Sequence, residues 1–413
     1  KATEALFKYT YADYKARCIL AQLSGLPVSS TTNQQSARFL FGNDKRPQDK
    51  FVYTDLTKTF PGYKFEKGVS TYRGEEVGEG GYVYANPGVY KHTAEIDVAS
   101  MHPSSLIALN YFGPYTERFK ELKDTRILIK HKDFKAAENA FNGVLKPFLK
   151  DPEQASGLAQ AMKIVINSVY GMTAAKFDNP FRHPKNIDNI IAKRGALFMV
   201  DLKHAVQEQG YTVVHIKTDS IKIANVDDKI TKFIIDFGKK YGYNFEVEHI
   251  FDKMALVNKA VLIGHVEDND EWGKESNTWE AIGAEFAEPY TFKTLFSHEQ
   301  ITSNDFAITK QVKKGTIYID DEFIGKVAQV YASVTGGQCK RHTDDGKESF
   351  VSGTKGFKWK KFSAYTSEKD VDMDYYDLQV KTAIDDICEA GNILDLLDQK
   401  DIPARFSNEI LPF

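Results

Sequence analysis

Apolar side chains recur at helical spacing over residues 4–24, at Leu6, Tyr9, Ala16, Leu20 and Leu23, and the pattern stops at Gly25-Leu26-Pro27. Residues 25–90 are rich in Gly, Pro, Thr and Asn and carry no strong period, so they predict a loop-rich linker that ends at the turn Asn86-Pro87-Gly88. The alternation in residues 92–98 predicts a strand, and Pro103 suits the first turn of a following helix. Two helices are predicted at about 131–148 and 153–170, the second opened by Asp151 as N-cap and Pro152 at the first helical position. A helix over 188–209 stops at Gly210, and TVVHIK, Thr218-Asp219 and SIKIA then read as a β-hairpin. A helix at 229–241, two strands within 245–266, a strand-rich region at 315–362 and a helix near 374–390 complete an α+β pattern without internal repeats.

Composition narrows the class. The chain has 413 residues, 42% hydrophobic and 27% charged, which is ordinary globular usage with room for two to four units. No apolar run approaches the ~18 residues that a membrane span needs, so no membrane partner is expected. The chain starts at Lys1 without an initiator Met or a signal-like segment, which reads as the start of a fragment or processed chain. Cys18, Cys339 and Cys388 are isolated from one another, which suits a reduced, cytoplasmic protein. With 54 Lys+Arg against 57 Asp+Glu, net charge alone points to no nucleic-acid partner. Charge is uneven, however: residues 120–150 carry eight basic and four acidic side chains, residues 339–362 seven and three, and residues 366–413 four and twelve. The two basic stretches are either phosphate-facing surfaces or solvated faces.

On the helix after Pro152, Met162, Val165, Ile166 and Val169 form a packing stripe, while Lys163, Asn167 and Tyr170 lie at i, i+4 and i+7 on another face. A cation, an amide and a phenol in that order can meet a phosphate, a base edge and a sugar. Asp97 near the end of a strand and Asp219 at a hairpin tip are two carboxylates that one sheet can bring to a pair of Mg²⁺ ions. Taken singly, either aspartate is more often a turn or cap residue.

These segments resemble a known family. DVASMHPSS (97–105) is similar to motif A of family B DNA polymerases, an Asp followed by S-L-Y-P-S. KIVINSVYG (163–171) matches K-x-x-x-N-S-x-Y-G, their motif B, at every fixed position, and HIKTDS (215–220) looks like motif C, Y-x-D-T-D-S. The order and gaps agree, and the resemblance is firm over about 90–265. It implies that Asp97 and Asp219, with the Val98 carbonyl, hold two catalytic Mg²⁺ ions for which Mn²⁺ can substitute. Lys163 then contacts the triphosphate as a catalytic cation, and Asn167 and Tyr170 line the nascent base pair. Ser100, Met101, His102, Arg126 and Lys130 complete the nucleotide site, while Lys217, Thr218, Lys259, Lys355 and Lys358 face DNA.

The departures carry consequences. His102 stands where the family has a Tyr beneath the sugar, which puts ribonucleotide exclusion in question. Lys217 replaces the first Asp of D-T-D, His215 replaces an aromatic, and Asn258-Lys259-Ala260-Val261 lacks the Tyr of the duplex-binding motif. Tyr9 and Asp13 are similar to Y-x-x-x-D of the 3′–5′ exonuclease, which implies only the tail of such a domain here, its remainder upstream of Lys1 in a longer chain or on a separate part. Residues 283–296 and 353–359 resemble regions of phage polymerases, and Phe350, Phe357 and Trp359 interleave with the basic stretch. Only 66 residues separate Asp97 from Lys163, which leaves no room for a terminal-protein insertion and points to an ordinary primer strand.

The resemblance thus implies a right-hand polymerase core of phage type: exonuclease remnant and linker 1–83, palm 84–130 and 171–282, two-helix fingers 131–170, and a mixed α/β thumb 283–413. Its expected activity is template-directed addition of deoxynucleotides to a primer 3′-OH. Expected partners are primer-template DNA, deoxynucleoside triphosphates and replication proteins. A non-catalytic polymerase-like subunit, for which Lys217 and His102 speak, stays open, as does another palm nucleotidyltransferase such as a reverse transcriptase or primase.

Overall fold

The computed structural model describes residues 2–267 and 277–406; residues 268–276 and 407–413, within the expected second palm segment and thumb, lie outside the described residues. The first helical stretch is two helices, α1 (Ala2–Tyr9) and α2 (Tyr11–Ser24), and α2 ends in a left-handed Gly25 at φ 67° as the Gly-Leu-Pro signal predicts. The expected linker is built differently. It contains α3 (Thr32–Phe41), started by a capping box between Thr31 and Gln34, and a small sheet of β1 (Lys64–Glu66), β2 (Val69–Tyr72) and β3 (Glu75–Val77). Phe39, Phe41, Phe51, Phe60 and Tyr63 from this stretch are buried in the same core as Ile96 and Leu197. Their irregular spacing hid them, because loops contribute to a core without any period.

A seven-stranded, wholly antiparallel sheet positions the site. Its strands are β4 (Val83–Ala85), β5 (Gly88–Val98), β6 (Thr212–Lys217), β7 (Ser220–Ala224), β8 (Phe245–Leu256), β9 (Leu262–Val266) and β10 (Trp279–Ile282). They lie in the order β10-β9-β8-β5-β7-β6-β4. Successive side chains of a strand point to opposite faces. Ala94, Ile96 and Val98 of β5 and Ile221 and Ile223 of β7 therefore join the core, whereas Glu95 and Asp97 share the other face. The core face is covered by α8 (Ile190–Glu208) against β6 and α9 (Asp228–Lys240) against β8.

Between β5 and β6 the chain forms α4 (Met101–Ala108), α5 (Thr116–Lys130), the short α6 (Phe134–Ala137), α7 (Pro152–Ala174) and then α8. Both α2 and α5 pack on α7, and it is α5 that takes the place of the helix expected at 131–148. Residues 131–150 hold only short turns: Phe141 and Asn142 take left-handed φ of 51° and 58°, and Gly143 and Pro147 oppose a continuous helix. In α5 the charged residues masked an apolar stripe of Phe119, Leu122 and Ile129, all buried. Asp151 caps α7 as predicted, accepting from the Gln154 N–H at 3.0 Å.

Residues from 284 onward begin with the short helices α10 (Ala284–Ala287) and α11 (Pro289–Phe292). Seven strands follow: β11 (Ile308–Gln311), β12 (Thr316–Ile319), β13 (Glu322–Gly325), β14 (Val327–Gly337), β15 (Cys339–His342), β16 (Glu348–Phe350) and β17 (Trp359–Lys361). They form the sheets β11-β14-β17 and β13-β12-β15-β16, packed with α12 (Met373–Ala390) around Tyr331, Trp359 and Tyr376.

Candidate active site

Two aspartates meet at one end of the large sheet. Asp97 lies opposite Ser220 in the β5–β7 register, and the Val98 N–H donates to the Asp219 carbonyl at 2.9 Å. The β6–β7 turn is tight: Thr218 is left-handed at φ 60°, and its N–H donates to Tyr82 at 3.0 Å. Gly81 backs onto this turn, and a Cβ there would sit 3.0 Å from both Oγ1 and Cγ2 of Thr218, so a side chain would push the hairpin away. Asp97 Oδ1 is buried without a hydrogen-bond partner. Burial, then the neighbouring charges of Glu95, Asp219 and Glu248, push the Asp97 carboxyl up to about 7.

A pocket of about 180 Å³ opens from Asp97. Asp97, Val98, Ser100, Glu246 and Glu248 form one wall, and Arg126, Lys130 and His131 of the α5 end form the other. Glu246 pairs directly with Asp97 across β5 and β8. Ser100 adopts a left-handed φ of 56° just before α4, so the free N–H groups of that helix begin at the pocket wall. Arg126 Nε is buried without a partner, and burial lowers the pKa of its guanidinium. Carboxylates and cations thus face each other across a small polar cavity, an arrangement that suits a cation held together with an anionic ligand.

Beside the pocket, His102 stacks on Tyr170 with ring centres 4.2 Å apart and planes within 7°. Burial lowers the His102 pKa against the pull of Asp219, so the ring is neutral at physiological pH, and its Nδ1 has no partner. Lys163 and Asn167 are exposed on the same face of α7. Lys163 stands about 10 Å from Tyr170 along the axis, and neither residue lines the pocket. The Met101 side chain is 2% exposed and packs against α8, where a Cβ on Gly195 would lie 2.6 Å from its sulfur, so a nucleotide contact at this position would fall to its backbone.

The expected DNA-facing residues have differing surroundings. Lys217 is exposed at the end of β6. Lys259 lies in the β8–β9 turn, where its carbonyl meets His215 Nε2 at 3.3 Å. Burial, then Lys222, push His215 down to about 4, so this ring is neutral in place of the usual aromatic. Lys355 and Lys358 are exposed, as is Phe350, but the other two aromatics of the stretch are held by packing. Trp359 is fully buried with its Nε1 donating to Thr354, and Phe357 packs on Tyr375. Lys340 and Lys360 of that stretch pair with Glu348 and Asp370. Tyr9 closes α1, and Asp13 lines a separate groove with Arg17 and Thr32.

Sequence reasoning missed Glu246, Glu248 and His131. The alternation Phe245-Glu246-Val247-Glu248 does place both glutamates on one face of a strand. Only the pairing of β8 with β5, which no local pattern encodes, brings them to Asp97.

No family model matches the chain, and no curated protein matches its sequence. Among solved structures it is similar to the family B DNA polymerase from the hyperthermophilic archaeon Pyrobaculum calidifontis, at 12% identity and a TM-score of 0.49. The similarity covers 93% of this chain and 54% of that one, so the chain spans about half the length of that polymerase. No helix among the described residues is long and apolar enough to cross a membrane.

Proposed function

We propose that this chain carries the nucleotidyl-transfer centre of a DNA polymerase of the family B type. The observation that carries the reading is the meeting of Asp97 and Asp219 at the ends of paired strands, beside the His102–Tyr170 stack. The same residues belong to three segments that resemble polymerase motifs in the right order. In this reading the seven-stranded sheet is the palm, α5 and α7 are the fingers, the region from 283 is the thumb, and α1–α2 carry the exonuclease remnant.

The carboxylates of Asp97 and Asp219 and the Val98 carbonyl are hard oxygen donors, and the unpartnered, buried Oδ1 of Asp97 leaves a lone pair for a cation. These residues would hold two Mg²⁺ ions, with Mn²⁺ able to substitute. Bound there, the ions supply charge stabilisation to the attacking and leaving oxygens of phosphoryl transfer.

The protein's own groups do the rest. Arg126 and Lys130, with the first N–H groups of α4, hold the triphosphate so that the primer 3′-OH meets the α-phosphate in line and pyrophosphate leaves. Lys163 adds positive charge from the α7 face, and Asn167 and Tyr170 test the shape of the new base pair. The neutral His102 ring, fixed by its stack on Tyr170, lies beneath the sugar.

The test is Mg²⁺-dependent extension of a labelled primer, with DNA and RNA templates and with deoxy- and ribonucleotides in separate reactions. Wild type extends on DNA, and Asp219→Ala loses at least about 10³-fold in rate while keeping its melting temperature. Equal extension by the variant, or no extension by folded wild type, would overturn the reading. A preference for RNA templates would move it to a reverse transcriptase.

A further inference from the structure

A second polar cluster lies on the Asp97 face of the sheet, outside the pocket described above. Glu95 of β5 stands opposite His249 of β8 and opposite Lys222 of β7. His249 Nε2 is 3.1 Å from Glu95 Oε2 and 3.2 Å from Glu280 Oε2, and Lys222 bonds to the other oxygen of Glu95. Glu280 belongs to the edge strand β10, opposite Gly264 of β9, and its side chain reaches His249. The Phe251 ring lies so close to Gly264 of β9 that a Cβ there would come within 2.5 Å of it.

We propose that Glu95, His249 and Glu280 form a binding site for a borderline divalent cation such as Zn²⁺. Among the described residues, these donor atoms form a group that lies within 4.8 Å of one another. Two carboxylates already aim at one imidazole nitrogen, at separations close to the roughly 3.3 Å between donors around a tetrahedral ion with bonds near 2.0 Å. The imidazole donor disfavours Mg²⁺, which takes oxygen ligands in an octahedron, and three protein ligands of this kind suit Zn²⁺ with water in the fourth position. Lys222 acts as the outer partner that fixes the Glu95 carboxylate through Oε1, with Oε2 turned towards His249. The three side chains are partly exposed, at 16%, 21% and 32%, so an ion has access. A bound ion would tie the edge strand β10 to the strand that carries Asp97.

The test is equilibrium dialysis of the whole chain against micromolar Zn²⁺ with millimolar Mg²⁺ present, followed by metal analysis. The variants are Glu280→Gln, His249→Gln, Glu280→His and Asp219→Asn, each checked for folding by circular dichroism. Wild type, Asp219→Asn and Glu280→His each retain one Zn²⁺ that Glu280→Gln and His249→Gln lose. Glu280 is on an edge strand, so its variants test the site even where the His249 variant does not fold. Wild-type stoichiometry in Glu280→Gln, or loss in Glu280→His as well, would overturn the site and leave an ion-pair ladder that only joins strands. The result is independent of polymerase activity.

Discussion

Replacing Asp97 by Asn should stabilise the metal-free protein while removing its activity. A carboxyl whose pKa rises from 3.8 to about 7 carries a charged form disfavoured by about 4 kcal/mol, at 1.36 kcal/mol per unit. Asp97 is only partly buried, and water and structural relaxation reduce such costs, so about 1–2 kcal/mol is the expected gain at pH 8. The sign follows from proton linkage. Between pH 3.8 and about 7 the folded chain binds a proton that the unfolded chain lacks, so wild-type stability falls as pH rises through that window. Above it the full cost persists; below it the cost vanishes. The advantage of Asp97→Asn is therefore largest at pH 8 and shrinks towards pH 4. Urea unfolding in EDTA at pH 8, 6 and 4.5 measures it. Saturating Mg²⁺ should stabilise wild type and leave the variant unchanged. A variant less stable than wild type at pH 8, or a gain independent of pH, would refute the reasoning.

Tyr170→Leu removes the ring that stacks on His102 and should cost about 0.5–1.5 kcal/mol in urea unfolding, together with a raised KM for the nucleotide; unchanged nucleotide kinetics would count against the stack as part of the site. Lys355→Ala and Lys358→Ala remove exposed charges and should leave stability within about 0.5 kcal/mol. Each should lower the salt slope of duplex binding by about 0.9, which anisotropy titrations over a salt series would detect. Trp359→Ala, at a fully buried ring, should destabilise by about 3–5 kcal/mol in urea unfolding, whereas a truly DNA-gripping Trp would cost affinity and little stability.

Much of the local structure was legible along the chain, because helix caps, breakers and two-residue periods act over a few residues. Asp151 and Pro152 open α7 and Gly25 and Gly210 close helices, each through a backbone preference of the residue itself, whereas the β-branched Thr218, held at φ 60°, turns the hairpin against its own preference. The stretch 25–90 reads as a linker because buried aromatics in irregular chain leave no period. The first long helix of the α5–α7 pair was misplaced because charged residues hid the stripe of α5.

Residue types and spacing, through the family resemblance they carry, made Asp97, Asp219 and the Lys163–Tyr170 face candidates for one chemistry. Only tertiary structure decided which groups share a cavity. Antiparallel register put Glu246 opposite Asp97 and Glu95 between Lys222 and His249, and packing turned Met101 and Trp359 into core. Strand pairing joins residues far apart in the chain through backbone hydrogen bonds that are the same for almost any side chain. The partners of a site across a sheet are therefore settled by the fold, not by the segments that compose it.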